Sequence, residues 1–314
     1  MNEREGWTIG SLVRKLRKDQ GITQSQLGMG ICSVPTINRI ETGERDMDML
    51  LASRIFQRLG YNPFKFELYG DNEEFLQYDQ RITIEKGMKL GNCDEVRRGL
   101  DTYQKSWEKW INENPLQRQF VYKVQGYLAI QDGDVQAGIE KLEQAILITV
   151  PEYRENWFET SILGEEELEL ITMLADANEQ LGEKKAAYDA RVKIIKYIEY
   201  KQMKKDQIVK LFTSIVCKLA PDLIEQGKAQ ICLDACNRGL EVLSSRKRLY
   251  NWPDLLYWKA MSLECLSKEN DIELQTVINV WTKAYYIADL FGSKEKAREI
   301  AKHLKEEFGW ECIE

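Results

Sequence analysis

Gly21-Ile22-Thr23-Gln24-Ser25-Gln26-Leu27 is followed, five residues on, by Ser33-Val34-Pro35-Thr36-Ile37-Asn38-Arg39-Ile40-Glu41-Thr42-Gly43-Glu44-Arg45. These two segments decide the fold. Thr23 and Gln26 have the Thr-x-x-Gln spacing in which a hydroxyl and an amide cap the same helix start, so a short helix opens here with Gln24 in its first turn. Gly28 to Gly30 end it. Ser33 is placed to cap a further helix. Pro35 fits only the first turn of that helix, where its missing N–H is not needed, and it blurs the start because Val34 before it is biased away from helical angles. Ile37 and Ile40 then face inward, Thr36, Asn38 and Arg39 face outward, and Gly43 closes the helix.

Working outward, Ile9, Leu12, Val13 and Leu16 give one buried helical face, with Arg14, Lys15, Arg17 and Lys18 between them and Gly21 as the stop. Downstream, Met47, Leu51, Ile55 and Leu59 form the apolar stripe of a helix starting near Asp48 and stopped by Gly60 and Pro63. Four short helices with a tight second-to-third connection make a helix-turn-helix over residues 7–62, a unit that docks on duplex DNA.

The two quoted segments resemble the phage-repressor (Xre) type, whose pattern is Gly-[ILV]-[ST]-Gln-x-x-Leu followed by Ile-x-Arg-Ile-Glu-x-Gly. The resemblance covers about a fifth of the chain and implies roles residue by residue. Gln24 would bind a DNA phosphate. Ser33, Thr36, Asn38, Arg39 and Arg45 would face the DNA, the early positions of the third helix lying at base edges. Glu41 would be structural, paired with Arg17 of the first helix. Gly28, where alanine is usual, and Pro35 depart from the pattern; Pro35 leaves the base-contacting set open.

After Tyr69 the pattern is almost uniformly helical, with only six prolines in the whole chain. Amphipathic stretches are broken by short turns at Gly91, Gly133, Gly182 and Gly227 and at Lys268–Asp271. The intervals are 42, 49 and 45 residues, then 43 to Asn270. Such periodic hairpins predict a helical solenoid. Small residues recur seven positions before the turn glycines (Gly126, Ala175, Ala220) and five after (Gly138, Ala187, Cys232), as close helix crossings require; at Gly91 those slots hold Ile84 and Val96. The expected hairpins are 73–112, 115–149, 165–200, 204–246 and 251–291, with a last helix over 293–309. The connection Val150–Gly164 carries Trp157 and Phe158, expected to pack on the repeats. The pattern resembles tetratricopeptide repeats with long helices. That arrangement implies a groove lined by the first helix of each hairpin, with Lys123, Tyr127, Thr172, Asp176, Asn178 and Glu179 as peptide-binding candidates; an asparagine amide can bond both sides of a bound peptide backbone.

Residues 1–70 carry a net charge of +2 and the remainder −9, out of −7 for all 314 residues. A basic head on an acidic body suits a chain that meets phosphate at one end. The opening residues are polar with no apolar stretch behind them, so neither a secretory leader nor a membrane span is expected. Seven cysteines and one histidine, His303, offer no ligand spacing for zinc. Cys232 and Cys236 share a helix face and read as small buried residues. No phosphate loop, Gly-x-Ser-x-Gly or His-Glu-x-x-His motif occurs, and Glu165-Glu166-Glu167 reads as a helix start favoured by the helix dipole. No enzyme activity, cofactor or metal is called for.

The whole is therefore expected to be all-α, with an N-terminal helix-turn-helix domain (1–69) followed by a tetratricopeptide-like helical solenoid (70–314). This organisation resembles the RRNPP group of peptide-pheromone receptors of Gram-positive bacteria, to which the Rgg, PlcR and PrgX regulators belong. The resemblance implies a cytoplasmic transcription regulator and homodimer, controlled by a short signalling peptide bound in the repeats, as in quorum sensing. The alternatives are a regulator whose repeats bind a protein partner, and an adaptor that has lost DNA binding; the intact Gln24 and Arg39 speak against the latter.

Overall fold

A computed structural model of the chain describes residues 8–61, 71–153, 161–201, 206–268 and 272–310. Among these, all regular structure is helical. The head comprises α1 (Ile9–Asp19), α2 (Gln24–Gly28), α3 (Val34–Thr42) and α4 (Met49–Arg58). Hairpins follow: α5 (Asn72–Leu90) with α6 (Cys93–Ser106), α8 (Pro115–Gln131) with α9 (Val135–Thr149), and α10 (Glu165–Gln180) with α11 (Lys184–Tyr200). A short α7 (Glu108–Glu113) joins the first to the second. Then come α12 (Asp206–Glu225) with α13 (Ala229–Ser245), α14 (Trp252–Ser267) with α15 (Leu274–Leu290), and a final α16 (Lys294–Phe308). Within the described residues, helices occupy both arms of each expected hairpin. The 69/70 boundary, Trp157, Phe158 and Asn270 lie outside the described residues.

The chain divides into two compact units, Met1–Ala190 and Arg191–Glu314, a division that falls inside α11. The first unit joins the head and the opening hairpins. Gly91, Gly133 and Gly182 each sit at positive φ just past the first helix of a hairpin, a conformation that admits glycine without strain. Asp134 caps α9 by accepting from the Ala137 N–H, as Asn92 caps α6 by accepting from that of Glu95.

The small-residue slots are close crossings, as expected. A Cβ on Gly126 would stand 2.8 Å from Leu142 Cγ, and one on Gly138 would collide with Ile130. The first hairpin solves the same problem three positions along. Gly87 lies against Val96 (2.9 Å to an added Cβ) and Gly99 against Ile84 (2.8 Å), so the large residues in the usual slots meet glycines placed one turn away.

In the second unit the same device recurs. Gly227 takes positive φ, and Ala220 and Cys232 are wholly buried. The α14–α16 core is built on Trp281, with Leu256, Val277, Ile300 and Leu304 around it. Its indole N–H donates to Glu264 Oε2 at 2.9 Å, and His303 Nε2 meets the same oxygen at 2.7 Å, tying the last three helices together. Cys232 and Cys236 are both fully buried and unbridged.

Candidate nucleic-acid interface and candidate groove

The head is built as its residues require. Thr23 Oγ1 accepts from the Gln26 N–H at 3.1 Å while Gln26 Oε1 accepts from the Thr23 N–H at 2.9 Å, the reciprocal cap read from the sequence. Ser33 caps α3 by accepting from the Thr36 N–H, Pro35 sits in the first turn, and Gly43 closes the helix at φ +78°. α3 therefore begins at Val34. Gly10 lets α1 approach α3, since a Cβ there would collide with the Ile40 carbonyl. At Gly28 an added Cβ would stand 3.2 Å from Ile37 Cγ1, so the alanine usual at this position needs a small shift here.

One ion pair organises the head's polar interior. Arg17 Nε and Nη2 donate to the two oxygens of Glu41 at 2.6 and 2.8 Å, and Arg17 Nη1 donates to the Ile22 carbonyl at 2.8 Å. Gln24 Nε2 donates to Glu41 Oε2 at 2.9 Å and, more weakly, to Asn38 Oδ1 at 3.4 Å. Burial pushes the Glu41 carboxyl up, but the bonds from Arg17 and Gln24 and the charge of Arg17 outweigh it and hold it below its ordinary value. Ser33, Asn38, Arg39 and Arg45 are exposed and Thr36 half-buried, its hydroxyl 2.9 Å from that of Ser33. These residues share the outer side of α3 and its two ends. Gln24 is half-buried, and its amide nitrogen is engaged by Glu41 and Asn38.

The groove candidates divide. Tyr127 on α8 and Thr172 and Asp176 on α10 are half-buried, and Glu179 is exposed. Tyr127 donates its hydroxyl to the Met88 carbonyl at 3.1 Å; Thr172 and Asn178 each donate to the carbonyl four residues back, at 2.8 and 2.9 Å. Thr172, Asp176 and Glu179 follow one helical stripe from Glu169. Asn178 lies off that stripe. Lys123 corrects the sequence reading, which placed it among the peptide-binding residues of the groove. It is 1% exposed and donates to Glu166 Oε1 at 3.0 Å and Glu169 Oε2 at 2.8 Å, with Glu85 3.8 Å away. Burial opposes its charge, but the three carboxylates outweigh that and hold the ammonium well above the usual lysine range.

Two arginines of α4 have a role that the sequence reading did not assign. Arg54 pairs with Glu166 at 3.1 Å and Arg58 with Glu167 at 3.2 Å, all four side chains buried. The available signal was charge complementarity between Arg54/Arg58, four apart, and the Glu166-Glu167 run.

Residues 13–66 match a helix-turn-helix family model (HTH_3). No curated protein matches the chain. Among solved structures it is similar to Bacillus thuringiensis PlcR in its apo form, at 18% identity and a TM-score of 0.53, over 94% of this chain and 98% of that one. It is also similar to PlcR in complex with the peptide PapR7 and DNA, at 19% identity and a TM-score of 0.50, over 93% and 98%. Apo ComR from Streptococcus vestibularis matches at 15% identity and a TM-score of 0.45, over 95% and 97%. The fold is thus shared with PlcR over nearly the whole chain, and the expected architecture, a helix-turn-helix head followed by helical repeats, is borne out.

Proposed function

We propose that the chain is a DNA-binding transcription regulator controlled by a short signalling peptide. Residues 1–69 are one of two DNA-binding heads of a homodimer; residues 70–314 bind the peptide and hold the dimer together, in the cytoplasm. The observation that carries this is the exposed outer side of α3. The head's inner polar groups are consumed by Arg17, Gln24 and Glu41, while Asn38 and Arg39 stand exposed. A capped helix presenting such residues suits the major groove. Arg39, Asn38 and Thr36 are assigned to base edges, and Ser33 and Arg45 to the backbone at either end of α3. Gln24 reaches a phosphate by exchanging its bond to Asn38. The PlcR complex holds both a peptide and DNA on this same fold, which supports the two-ligand reading.

For the peptide, the α10 stripe of Thr172, Asp176 and Glu179, together with Tyr127 of α8 and Asn178, is the assigned surface. Its carboxylates favour a peptide with a free amino terminus or a basic side chain. By linkage, the peptide alters DNA affinity only if DNA alters peptide affinity by the same factor. The test starts from a duplex selected out of a random pool. Arg39→Ala is expected to weaken it by about 1–3 kcal/mol if Arg39 reads a base. Calorimetry with the host's secreted-peptide fraction, with and without that duplex, then measures the coupling. No selected duplex, or peptide affinity indifferent to both DNA and Asp176→Ala, defeats the reading.

A further inference from the structure

The head does not hang from the body by its linker alone. Arg58 Nη1 donates to the carbonyls of Leu27 at 3.0 Å and Met29 at 2.6 Å, at the end of α2. Its Nη2 donates to the Thr149 carbonyl at 3.1 Å, at the end of α9, and to Glu167 Oε1 at 3.2 Å, at the start of α10. One guanidinium therefore joins the helix-turn-helix turn to two helices of the body. Gly30, at φ +71°, brings its backbone so close to Thr149 that an added Cβ would stand 2.6 Å from the Thr149 backbone. Leu116 and Ile162 of the body belong to the same apolar cluster as Leu27, Ile31, Ile37 and Phe56 of the head.

Next to Arg58, Arg54 holds Glu166. Glu166 also accepts from Lys123, and Lys123 reaches Glu169 and Glu85. The ladder runs from α4 through α10 and α8 to α5. It carries three cations (Arg54, Arg58, Lys123) and four carboxylates (Glu85, Glu166, Glu167, Glu169). Buried charges hold position strongly, because a partner left alone in a low-dielectric interior is strongly destabilised. Glu85 is the least compensated: burial and its neighbours Glu166 and Glu169 push its carboxyl up against the pull of Lys123. Glu169 is the accessible end, its side chain 42% exposed, and lies on the same α10 stripe as Thr172 and Asp176.

We infer that Arg54 and Arg58 are positioning residues that fix the DNA-binding head on the repeat body, and that Lys123 links this seam to the face on which the peptide is proposed to bind. The contacts use α4 and the end of α2 and leave the outer side of α3 open, so the head is held ready for DNA. A change in the spacing of α8 and α10 reaches the head through Lys123, Glu166 and Arg54. The second half of the inference rests on the proposed function; the first half does not.

The test is hydrogen exchange on the full chain without DNA or peptide, comparing wild type with Lys123→Met and with the milder Glu169→Gln, which leaves Glu166 to Lys123. The charged partners of Lys123 described above, Glu85, Glu166 and Glu169, all belong to the body. Lys123→Met is nevertheless expected to speed exchange in α4 and in Leu27–Ile31 at least tenfold, and Glu169→Gln by a smaller factor in the same segments. Wild-type exchange there in a variant with unchanged helical content overturns the inference; if Lys123→Met does not fold, Glu169→Gln decides alone. On selected duplexes, the folded variant is expected to keep single-half-site affinity within twofold and to lose discrimination between half-site spacings. Retained discrimination with a loosened seam overturns the transmission step. A loosened seam with no duplex bound at all refutes the proposed function and leaves the positioning role standing.

Discussion

Arg17→Met puts the head's central ion pair to the test. The substitution keeps most of the side chain's length and apolar stem but removes three donated bonds: two to Glu41, at 2.6 and 2.8 Å, and one to Ile22. Glu41, 5% exposed, is then left with the Gln24 amide as its one remaining partner among the bonds described above. Removing one member of a buried pair costs about 3–5 kcal/mol, because the other keeps its charge without compensation. At about 2–4 °C per kcal/mol for a unit of this size, the midpoint should fall by roughly 6–20 °C. Replacing both, Arg17→Met with Glu41→Leu, should recover most of that loss, since an apolar pair of similar volume leaves nothing stranded.

The pH dependence distinguishes this account from simple loss of packing. In the wild type the folded Glu41 carboxyl lies below its unfolded value, so its contribution is fully present above about pH 4.3 and is lost as pH falls through the folded value. In Arg17→Met burial is unopposed by the guanidinium and raises the carboxyl above the unfolded value, so the variant should gain stability relative to wild type as pH falls from 7 toward 4. Urea titrations of both proteins at pH 4, 5, 6 and 7, followed by circular dichroism, measure the difference. A deficit that stays constant with pH, or a double variant no more stable than the single one, refutes the reasoning.

Two further outcomes follow from packing. Gly138→Ala forces a methyl against Ile130 at the α8–α9 crossing, with the Gly126 carbonyl 3.0 Å away, and should cost about 1–3 kcal/mol in thermal unfolding; Gly133→Asn, at a turn open around its Cα, should cost less. Trp281→Phe removes the indole donor from buried Glu264 and should cost about 1–3 kcal/mol, with faster exchange in α14 and α16; an unchanged midpoint would show that His303 and Lys268 satisfy the carboxylate without it.

What was legible in the sequence was what leaves a local mark. The Thr23–Gln26 cap, the Ser33 cap, the stop at Gly43 and the hairpin turns all act within a few residues, and periodicity reports them. The Arg17–Glu41 pair was available through the family pattern. The seam was not, because Arg58 and Glu167 are 109 residues apart and an apolar-stripe reading of α4 passes over its arginines. Lys123 was misplaced for the same reason: nothing on α8 announces the carboxylates of α10.

The buried arginines also change what charge counting implies for DNA. The head's net +2 counts Arg17, Arg54 and Arg58, which are 9%, 5% and 5% exposed and face carboxylates. The cations the described head presents to solvent are Arg14, Lys15, Lys18, Arg39 and Arg45. If those five alone meet phosphates, the slope of log affinity against log salt is bounded at about −4.5 per head, since each neutralised phosphate contributes about −0.9. Counting every head cation instead would allow about twice that. Titrating a selected duplex from 50 to 300 mM salt decides between them. With Arg4 and Lys65 added, the bound without any buried arginine is about −6.3 per head, and a steeper slope would mean that a buried arginine leaves its glutamate to bind DNA; were that Arg54 or Arg58, the head would have to come off the body in order to work.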